Sequence, residues 1–202
     1  MITIGITGQI GCGKSVVADQ FARFGAVVVL GDKLGHEIVD KHPQLLKALV
    51  RKFGPQILTR TGCLNRSKLG AIAFADDSKT KSLNEIVHPW LLKQMRTEIA
   101  QARKSKKSKI LVVDAALIYN WRLEQELDYI VVVESTYKNQ SARLKTRGLT
   151  DGEIRNRIRR QIPKYIQRRS ADFVLTNNGT KKELIARAAR LYGRILRLAE
   201  SV

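Results

Sequence analysis

The sequence has 202 residues, 44% of them hydrophobic and 27% charged, which is typical of one soluble compact domain with room for an inserted subdomain. No apolar run is long enough to cross a membrane, and the two cysteines and three scattered histidines exclude a disulfide framework and a zinc site. The net charge of +19 favours polyanionic partners, namely nucleic acid, an acidic membrane surface or phosphate-rich small molecules, although a well-solvated basic surface explains it equally well.

The first predicted element is a buried, β-branched strand over 2–6 that runs directly into a glycine-rich loop. Because this start has no charged segment and cleavage of a signal peptide would destroy the loop, we expect a cytoplasmic protein. A helix follows, with apolar residues at helical spacing, and it ends at Gly25. The second buried strand, over 26–30, ends just before Asp32.

Three further buried strands are predicted over 110–113, 129–133 and 173–176. Helical patterns separate the strands, and this alternation predicts an α/β protein with a parallel five-stranded sheet flanked by helices. Polar residues follow the strands, and ligands of such sheets bind outside the carboxyl ends of the strands. We therefore expect the functional site at that edge.

Two regions outside the sheet have a distinct character. Residues 33–104 form a long, mainly helical insertion between the second and third strands, and we expect it to hold the substrate. Residues 103–109 are strongly basic and are predicted to form a solvated loop. The C-terminal segment predicts an amphipathic helix whose arginine stripe is typical of a solvated face.

The N-terminal loop matches the pattern G-x-x-x-x-G-K-[ST] from Gly8 to Ser15. Glycines let its backbone N–H groups cradle phosphate oxygens, and the following helix adds the positive end of its dipole. We expect Lys14 to neutralise the β- and γ-phosphates of ATP, and the Ser15 hydroxyl to coordinate Mg²⁺. The predicted nucleotide contacts in this segment are Gly8, Gly11, Cys12, Gly13, Lys14, Ser15 and Val16.

Asp32 narrows the reactions that this loop can serve. The sequence lacks the Asn-Lys-x-Asp element that GTP-binding switches use for guanine, so kinases and ATPases remain. From the end of the second strand, the Asp32 carboxylate can accept a proton from an incoming hydroxyl, while capping of the next helix is the alternative. Asp114, after the third strand, either holds magnesium through water or caps a helix.

Segments along the whole chain resemble one enzyme family. Residues 4–15 are similar to its I-G-L-T-G-G-I-G-S-G-K-[ST], and Asp32 matches the last aspartate of its D-A-D. Gly62–Arg66 matches its G-x-L-[DN]-R turn, and His88-Pro89 matches its H-P pair. The C-terminal residues that follow its pattern are Arg143, Arg147, Arg157-Ile158-x-x-Gln161 and Ala171-Asp172 through Asn177. The sequence thus resembles the dephospho-coenzyme A kinase family.

The resemblance implies transfer of the ATP γ-phosphate to the ribose 3'-hydroxyl of dephospho-coenzyme A, giving coenzyme A and ADP. It also implies an adenylate-kinase-like P-loop kinase fold with a helical substrate domain and a mobile lid at about 137–170. The sequence also departs from the family pattern, since Leu30 replaces the first aspartate of D-A-D, His36 replaces an arginine and Gln9 replaces a glycine. After the third strand, Ala115-Ala116-Leu117 replaces the family's P-L-L.

The resemblance also assigns roles to individual residues. Asp32 is implied as the catalytic base and Arg143 as a catalytic residue that stabilises the transferring phosphoryl group. Arg147 and Asn177 are implied as ATP contacts. The residues implied to bind the acceptor are Asp32, Arg66 and His88, although Arg66 and His88 have structural roles as alternatives.

The basic residues of the predicted lid region allow functions other than that of the resembling family. Arg143 and Arg147 are four apart on a predicted helix, so both can face one side, and a solvated helix face is the alternative. Residues 155–169 include seven basic and no acidic residues, more than one nucleotide needs. This run keeps a nucleic-acid-stimulated ATPase as an alternative, although no basic groove with interleaved aromatic residues accompanies it. A nucleoside monophosphate kinase of the same architecture is the other alternative, and the oligomeric state is open.

Overall fold

A computed structural model of the chain describes residues 1–105 and 107–200. One parallel sheet, with strand order β2-β3-β1-β4-β5, forms its centre. The strands are β1 (Ile2–Thr7), β2 (Val27–Leu30), β3 (Ile110–Asp114), β4 (Tyr129–Glu134) and β5 (Phe173–Thr176). The predicted parallel five-stranded sheet is confirmed, and each predicted strand agrees with an observed one to within a residue at either end.

Helices occupy most of the remaining described chain. They are α1 (Lys14–Arg23), α2 (Gly31–Lys41), α3 (Pro43–Phe53), α4 (Arg66–Ala73), α5 (Asp77–Ser105), α6 (Tyr137–Lys145), α7 (Asp151–Arg159), α8 (Lys164–Arg169) and α9 (Lys181–Glu200). Among the described residues, none of these helices is both long and apolar enough to span a membrane.

The central strands are buried because most of their residues are apolar, as is typical of parallel strands covered on both faces. Ile4 and Val131, for example, are fully buried in one core together with residues of α1 and α9. Phe21 on α1 meets Tyr192 on α9 edge to face, with ring centroids 5.2 Å apart. The Tyr192 hydroxyl donates a hydrogen bond to the Phe24 carbonyl (2.9 Å), so α9 holds the end of α1 in place.

The chain divides into two compact units, Met1–Leu30 with Ile99–Val202 and the helical unit Gly31–Glu98. The helical unit has a core of its own, in which Ile38, Leu45, Leu49 and Ile57 are fully buried. It overlaps the insertion predicted over 33–104, and its substrate-holding role stays a prediction. The lid predicted at about 137–170 corresponds to α6, α7 and α8, and its role also stays a prediction.

Two local predictions differ from the structure. Helix α6 ends at Lys145, and Gly148, with φ 84°, turns the chain away while the Leu149 N–H donates to the Leu144 carbonyl (3.2 Å). The prediction that Arg143 and Arg147 share one helix face is therefore wrong, because Arg147 follows the helix. The predicted loop 103–109 is helical up to Ser105, where α5 ends, and Lys106 lies outside the described residues.

Candidate active site

The loop between β1 and α1 needs glycine at fixed positions. Gly8, Gly11 and Gly13 have φ values of 144°, 75° and 105°, a region that side chains strongly disfavour. A Cβ atom on Gly8 would lie 2.1 Å from the carbonyl oxygen of Val133, and one on Gly13 would lie 2.5 Å from Nδ2 of Asn177. The glycines therefore allow both the tight turn of the loop and its close packing against the ends of β4 and β5.

Five consecutive carbonyl groups of the loop each accept a hydrogen bond. The pairs are Gly8 O with Lys14 Nζ (3.1 Å), Gln9 O with Cys12 N (3.3 Å), Ile10 O with Gln140 Nε2 (2.8 Å), Gly11 O with an Arg143 guanidinium N–H (3.1 Å) and Cys12 O with Asn177 Nδ2 (2.8 Å). In a trans peptide unit the N–H points opposite to the C=O. The N–H groups of Gly11 and Gly13 are therefore turned away from these donors, as a phosphate-binding loop requires.

Helix α1 starts directly from this loop. Gly13 precedes the helix and has no side chain, so it cannot cap the first N–H groups of α1. Lys14 and Ser15 occupy its first turn, and Ser15 is exposed. The helix dipole and the Lys14 ammonium add positive charge where a nucleotide would place its phosphates.

Cys12 is a packing residue of the loop. Its side chain is fully buried, and burial raises the pKa of its thiol, an effect that Lys14 partly opposes and the charge of Asp114 increases. The thiol is therefore protonated at neutral pH and is not a nucleophile. The influence of Asp114 also places the carboxyl end of β3 near the phosphate loop.

Arg143 is part of the wall of the loop. Its guanidinium donates to the Gly11 carbonyl (3.1 Å), to the Ser135 hydroxyl (3.2 Å) and to the Asn177 carbonyl (2.9 Å). The structure thus brings Arg143 and Asn177 to the loop, while the catalytic role of Arg143 and the ATP contact of Asn177 stay predictions. Arg147 is not part of this group of contacts, because it is exposed beyond the end of α6.

Asp32 is an exposed residue in the first turn of α2, one position after Gly31. No loop separates β2 from this helix, because β2 ends at Leu30 and α2 begins at Gly31. Its place after a strand end agrees with the predicted position of a base. The catalytic role of Asp32 stays a prediction.

Arg66 and His88 belong to the helical unit. Arg66 begins α4, and its guanidinium donates to Asp40 Oδ2 (2.7 Å) and to the His36 carbonyl (2.5 Å). Asn65 caps the same helix by accepting the Lys68 N–H (3.0 Å). His88 is half-buried within α5, and burial lowers the pKa of its imidazole, which is therefore neutral at pH 7.

Two contacts of the phosphate loop were not predicted from the sequence. Gln140, almost completely buried on α6, holds the Ile10 carbonyl, and the side-chain oxygen of Gln161 accepts the Ile10 N–H (2.8 Å). Both glutamines are more than 120 residues from the loop along the chain, so no local pattern reveals their partners. The only sequence signal is the match of Gln161 to the Arg-Ile-x-x-Gln run.

A parallel sheet of this strand order, with its first strand running into a phosphate loop and an adjoining helix, defines a P-loop kinase. Comparison with known proteins gives the particular family. A profile described as dephospho-CoA kinase matches residues 2–183, and the chain belongs to this family of ATP-dependent small-molecule kinases. Membership of this family does not favour the two alternatives, a nucleoside monophosphate kinase and a nucleic-acid-stimulated ATPase.

Individual relatives agree with this assignment. The chain is 37% identical to a dephospho-CoA kinase of Thermobifida fusca over 202 residues, which are 100% of each chain. It is 28% identical to a protein of Thermus thermophilus whose crystal structure matches with a TM-score of 0.79, over 96% of this chain and 97% of that one. A dephospho-CoA kinase structure from Campylobacter jejuni, 20% identical with a TM-score of 0.66, covers 96% of both chains and has the same fold.

Proposed function

We propose that this protein transfers the γ-phosphate of ATP to the ribose 3'-hydroxyl of dephospho-coenzyme A, giving coenzyme A and ADP. One observation carries the proposal beyond family membership. The five bonded carbonyl groups from Gly8 to Cys12 fix the orientation of the loop through hydrogen bonds within the protein itself. Such pre-organised N–H donors stabilise charge on phosphate oxygens without reorganisation during the reaction.

The donor phosphates bind at this loop. The N–H groups of the loop and the first turn of α1 hold them, and Lys14 exchanges its bond to the Gly8 carbonyl (3.1 Å) for the β- and γ-phosphate oxygens. Arg143 and Asn177 support the loop from outside, and Arg143 adds positive charge beside it. Arg147, exposed after α6, contacts ATP when the lid closes.

Magnesium is the metal that this site suits. In the part of the chain that the structure describes, no group of three or more His, Cys, Asp or Glu side chains is placed to hold a metal ion. Mg²⁺ needs no such group, because it takes most of its ligands from phosphate oxygens and water. The exposed Ser15 hydroxyl would hold the ion, which would neutralise negative charge on the phosphates of ATP.

The chemical step is an in-line displacement at the γ-phosphorus. The Asp32 carboxylate accepts the proton of the 3'-hydroxyl, the resulting oxygen forms the bond to phosphorus, and the bond to the β-phosphate oxygen breaks to release ADP. Arg66 binds a phosphate of the acceptor through its guanidinium, and His88, as a neutral imidazole, donates or accepts one hydrogen bond. The reaction belongs to the cytoplasm, where the two free thiols of the chain stay reduced.

Asp32→Asn tests this assignment. The amide cannot accept the proton, so we expect kcat with dephospho-coenzyme A to fall by about 10² to 10⁴ while the Kd for ATP stays within about twofold. Asp77→Asn is the matched control, because Asp77 also lies in the first turn of a helix of the helical unit, and it should keep wild-type turnover. Near-wild-type kcat of Asp32→Asn would refute Asp32 as the base.

A panel of acceptors tests the substrate. ADP release should be fast with dephospho-coenzyme A, slow with AMP or CMP and unchanged by added RNA or DNA. A preference for a nucleoside monophosphate would contradict the proposed acceptor. Stimulation of ATP hydrolysis by nucleic acid, with a steep dependence on salt, would instead support the ATPase.

A further inference from the structure

The segment that connects α7 to α8 is bonded directly to the phosphate loop. The Ile10 N–H donates to Oε1 of Gln161 (2.8 Å), and Nε2 of Gln9 donates to the Ile162 carbonyl (3.3 Å). The phosphate loop is the donor in both bonds, once through its backbone and once through a side-chain amide, and the two segments are about 150 residues apart along the chain. The two bonds join the loop to this connection at two successive residues on each side.

The bond from Gln161 has a specific effect on the loop backbone. The Ile10 N–H belongs to the peptide unit before Ile10, and the Ile10 carbonyl, held by Gln140 (2.8 Å), belongs to the unit after it. Both peptide units are therefore fixed by side-chain amides. Without the oxygen of Gln161 the first unit keeps only the bond from the Cys12 N–H to the Gln9 carbonyl (3.3 Å). This unit lies between Gly8 and Gly11, two of the glycines that make the turn.

The α7–α8 connection is held from its other side as well. Gln167, buried on α8, donates to the Ile162 carbonyl (2.7 Å), and the Tyr119 hydroxyl donates to the Gln167 carbonyl (3.1 Å). Burial, aided by the charge of Glu124, raises the pKa of Tyr119 to about 12, so the hydroxyl keeps its proton throughout the neutral range. These bonds therefore hold the connection beside Gln161 in the conformation that the structure shows.

The chain next to Gln161 is strongly basic. Arg159 ends α7 and Arg160 follows it directly before Gln161, so the bond to Ile10 fixes the backbone next to these arginines. Both side chains are exposed. The residues next to Gln161 along the chain therefore carry positive charge, the sign that a polyphosphate attracts.

We propose that Gln161 is a positioning residue of the ATP site, in which its side-chain oxygen orients the peptide unit before Ile10 and joins the α7–α8 connection to the phosphate loop. This inference rests on the proposed function in that the loop binds ATP. It does not depend on which acceptor receives the phosphate. Gln161 contacts no reacting atom and acts through the loop backbone.

Gln161→Met provides the test, because methionine has a similar length and no hydrogen-bonding oxygen. We expect the Kd for ATP, measured without acceptor, and the KM for ATP to rise about fivefold to tenfold, the effect of losing one such bond. The KM for dephospho-coenzyme A should stay within twofold. Gln101→Met is the matched control on the exposed surface of α5, and it should change none of these values.

Hydrogen exchange of the Ile10 amide gives a readout that mere loss of stability does not explain. Gln161→Met should speed exchange at Ile10 selectively, whereas buried amides of the sheet, such as that of Val131, keep their wild-type rates. Gln161→Glu retains an acceptor oxygen and should keep Ile10 exchange slow. Its added negative charge beside the loop should nevertheless weaken ATP binding at an unchanged Tm, and this variant is the test if the methionine variant does not fold.

The proposal is overturned if Gln161→Met binds ATP like the wild type, or if both KM values rise together with a lower Tm. Fast exchange of the Ile10 amide in Gln161→Glu, which retains the acceptor oxygen, also overturns it. Failure of the proposed function has a different signature, since the wild-type protein would then bind ATP without phosphorylating dephospho-coenzyme A. The ATP affinities and exchange rates of the variants decide the role of Gln161 in either case.

Discussion

The phosphate loop and the helical unit Gly31–Glu98 present functional groups in different ways. In the loop, five consecutive carbonyls are bonded, and Cys12 is fully buried beneath them. In the helical unit, the proposed acceptor residues Asp32 and Arg66 are exposed side chains. The donor site is thus fixed by backbone geometry, whereas the acceptor residues are available for a ligand to order. Mutations should therefore impair folding together with ATP binding in the loop, and acceptor binding or turnover with little loss of stability in the helical unit.

The largest expected effect comes from Gly8→Ala in the loop. The new Cβ would lie 2.1 Å from the Val133 carbonyl oxygen, and φ would have to stay at 144°. Because the obstacle is backbone, we expect the free energy of unfolding to fall by about 3 kcal/mol or more and ATP binding to be lost. Urea denaturation and ATP titration measure the two effects.

Gly25→Ala is the control for this prediction. Gly25 also has a positive φ, 92°, but a Cβ there would meet nothing within 4 Å. Its cost should be limited to backbone strain, about 1 to 2 kcal/mol, with unchanged ATP affinity. Equal losses for the two variants would show that the loop is not fixed by its packing against β4.

The fold was predictable because its signals are local. The five strands are short apolar runs of β-branched residues, and the loop motif specifies Gly8, Gly13, Lys14 and Ser15 within eight positions. The error at Arg147 was also local in origin. Gly148 is a helix stop signal of the same kind as Gly25. It ends the helical pattern near Arg147, so the spacing of the two arginines does not by itself place them on one helix face.

The site was predictable only in part, because its supports are distant in sequence. Gln140, Gln161 and Asn177 reach the loop from positions more than 120 residues away, and their roles depend on where α6 and the α7–α8 connection pack. A neutral amide at such a position looks like any surface residue in the sequence. Arg66 is indicated by its place in the turn that resembles the family, whereas Asp32 is indicated both by its place after the second strand and by the resemblance.

The second prediction concerns the acceptor side, where Arg66→Ala should act on substrate rather than on stability. Arg66 and Asp40 are paired at 2.7 Å with 41% and 61% of their side chains exposed, so the pair contributes about 0 to 1 kcal/mol to the free energy of unfolding. Loss of a charged contact to phosphate should raise the KM for dephospho-coenzyme A about tenfold or more. The KM for ATP should not change.

Asp40→Asn separates the two roles of Arg66, because it removes the ionic partner and keeps the arginine. Steady-state kinetics should show a near-wild-type KM for the acceptor in this variant. A normal acceptor KM in Arg66→Ala, with a clear loss of stability, would instead make Arg66 an anchor of its turn. Arg66 would then no longer support the contrast between the phosphate loop and the helical unit.

The smallest expected effect is a pH dependence that differs between the two regions. Burial lowers the pKa of His88 from its usual 6.5. As the pH falls below about 6.5, the unfolded chain therefore takes up the proton first, and the free energy of unfolding decreases. Burial raises the pKa of Cys12 from its usual 9.0, so its contribution is lost only as the pH rises above about 9. Acid should thus weaken the helical unit through His88, and alkali the loop through Cys12.

His88→Gln isolates the acid effect, because glutamine keeps hydrogen-bonding groups and does not titrate in this range. Between pH 7.5 and pH 5 the variant should lose less stability than the wild type, by less than about 1 kcal/mol because the imidazole is only half-buried. His36→Gln, at an exposed position of the same unit, should leave the wild-type pH dependence intact. Urea denaturation at the two pH values measures this difference. If His88→Gln lost as much stability as the wild type, the acid sensitivity would come from other groups, because His88 is the only histidine in α5.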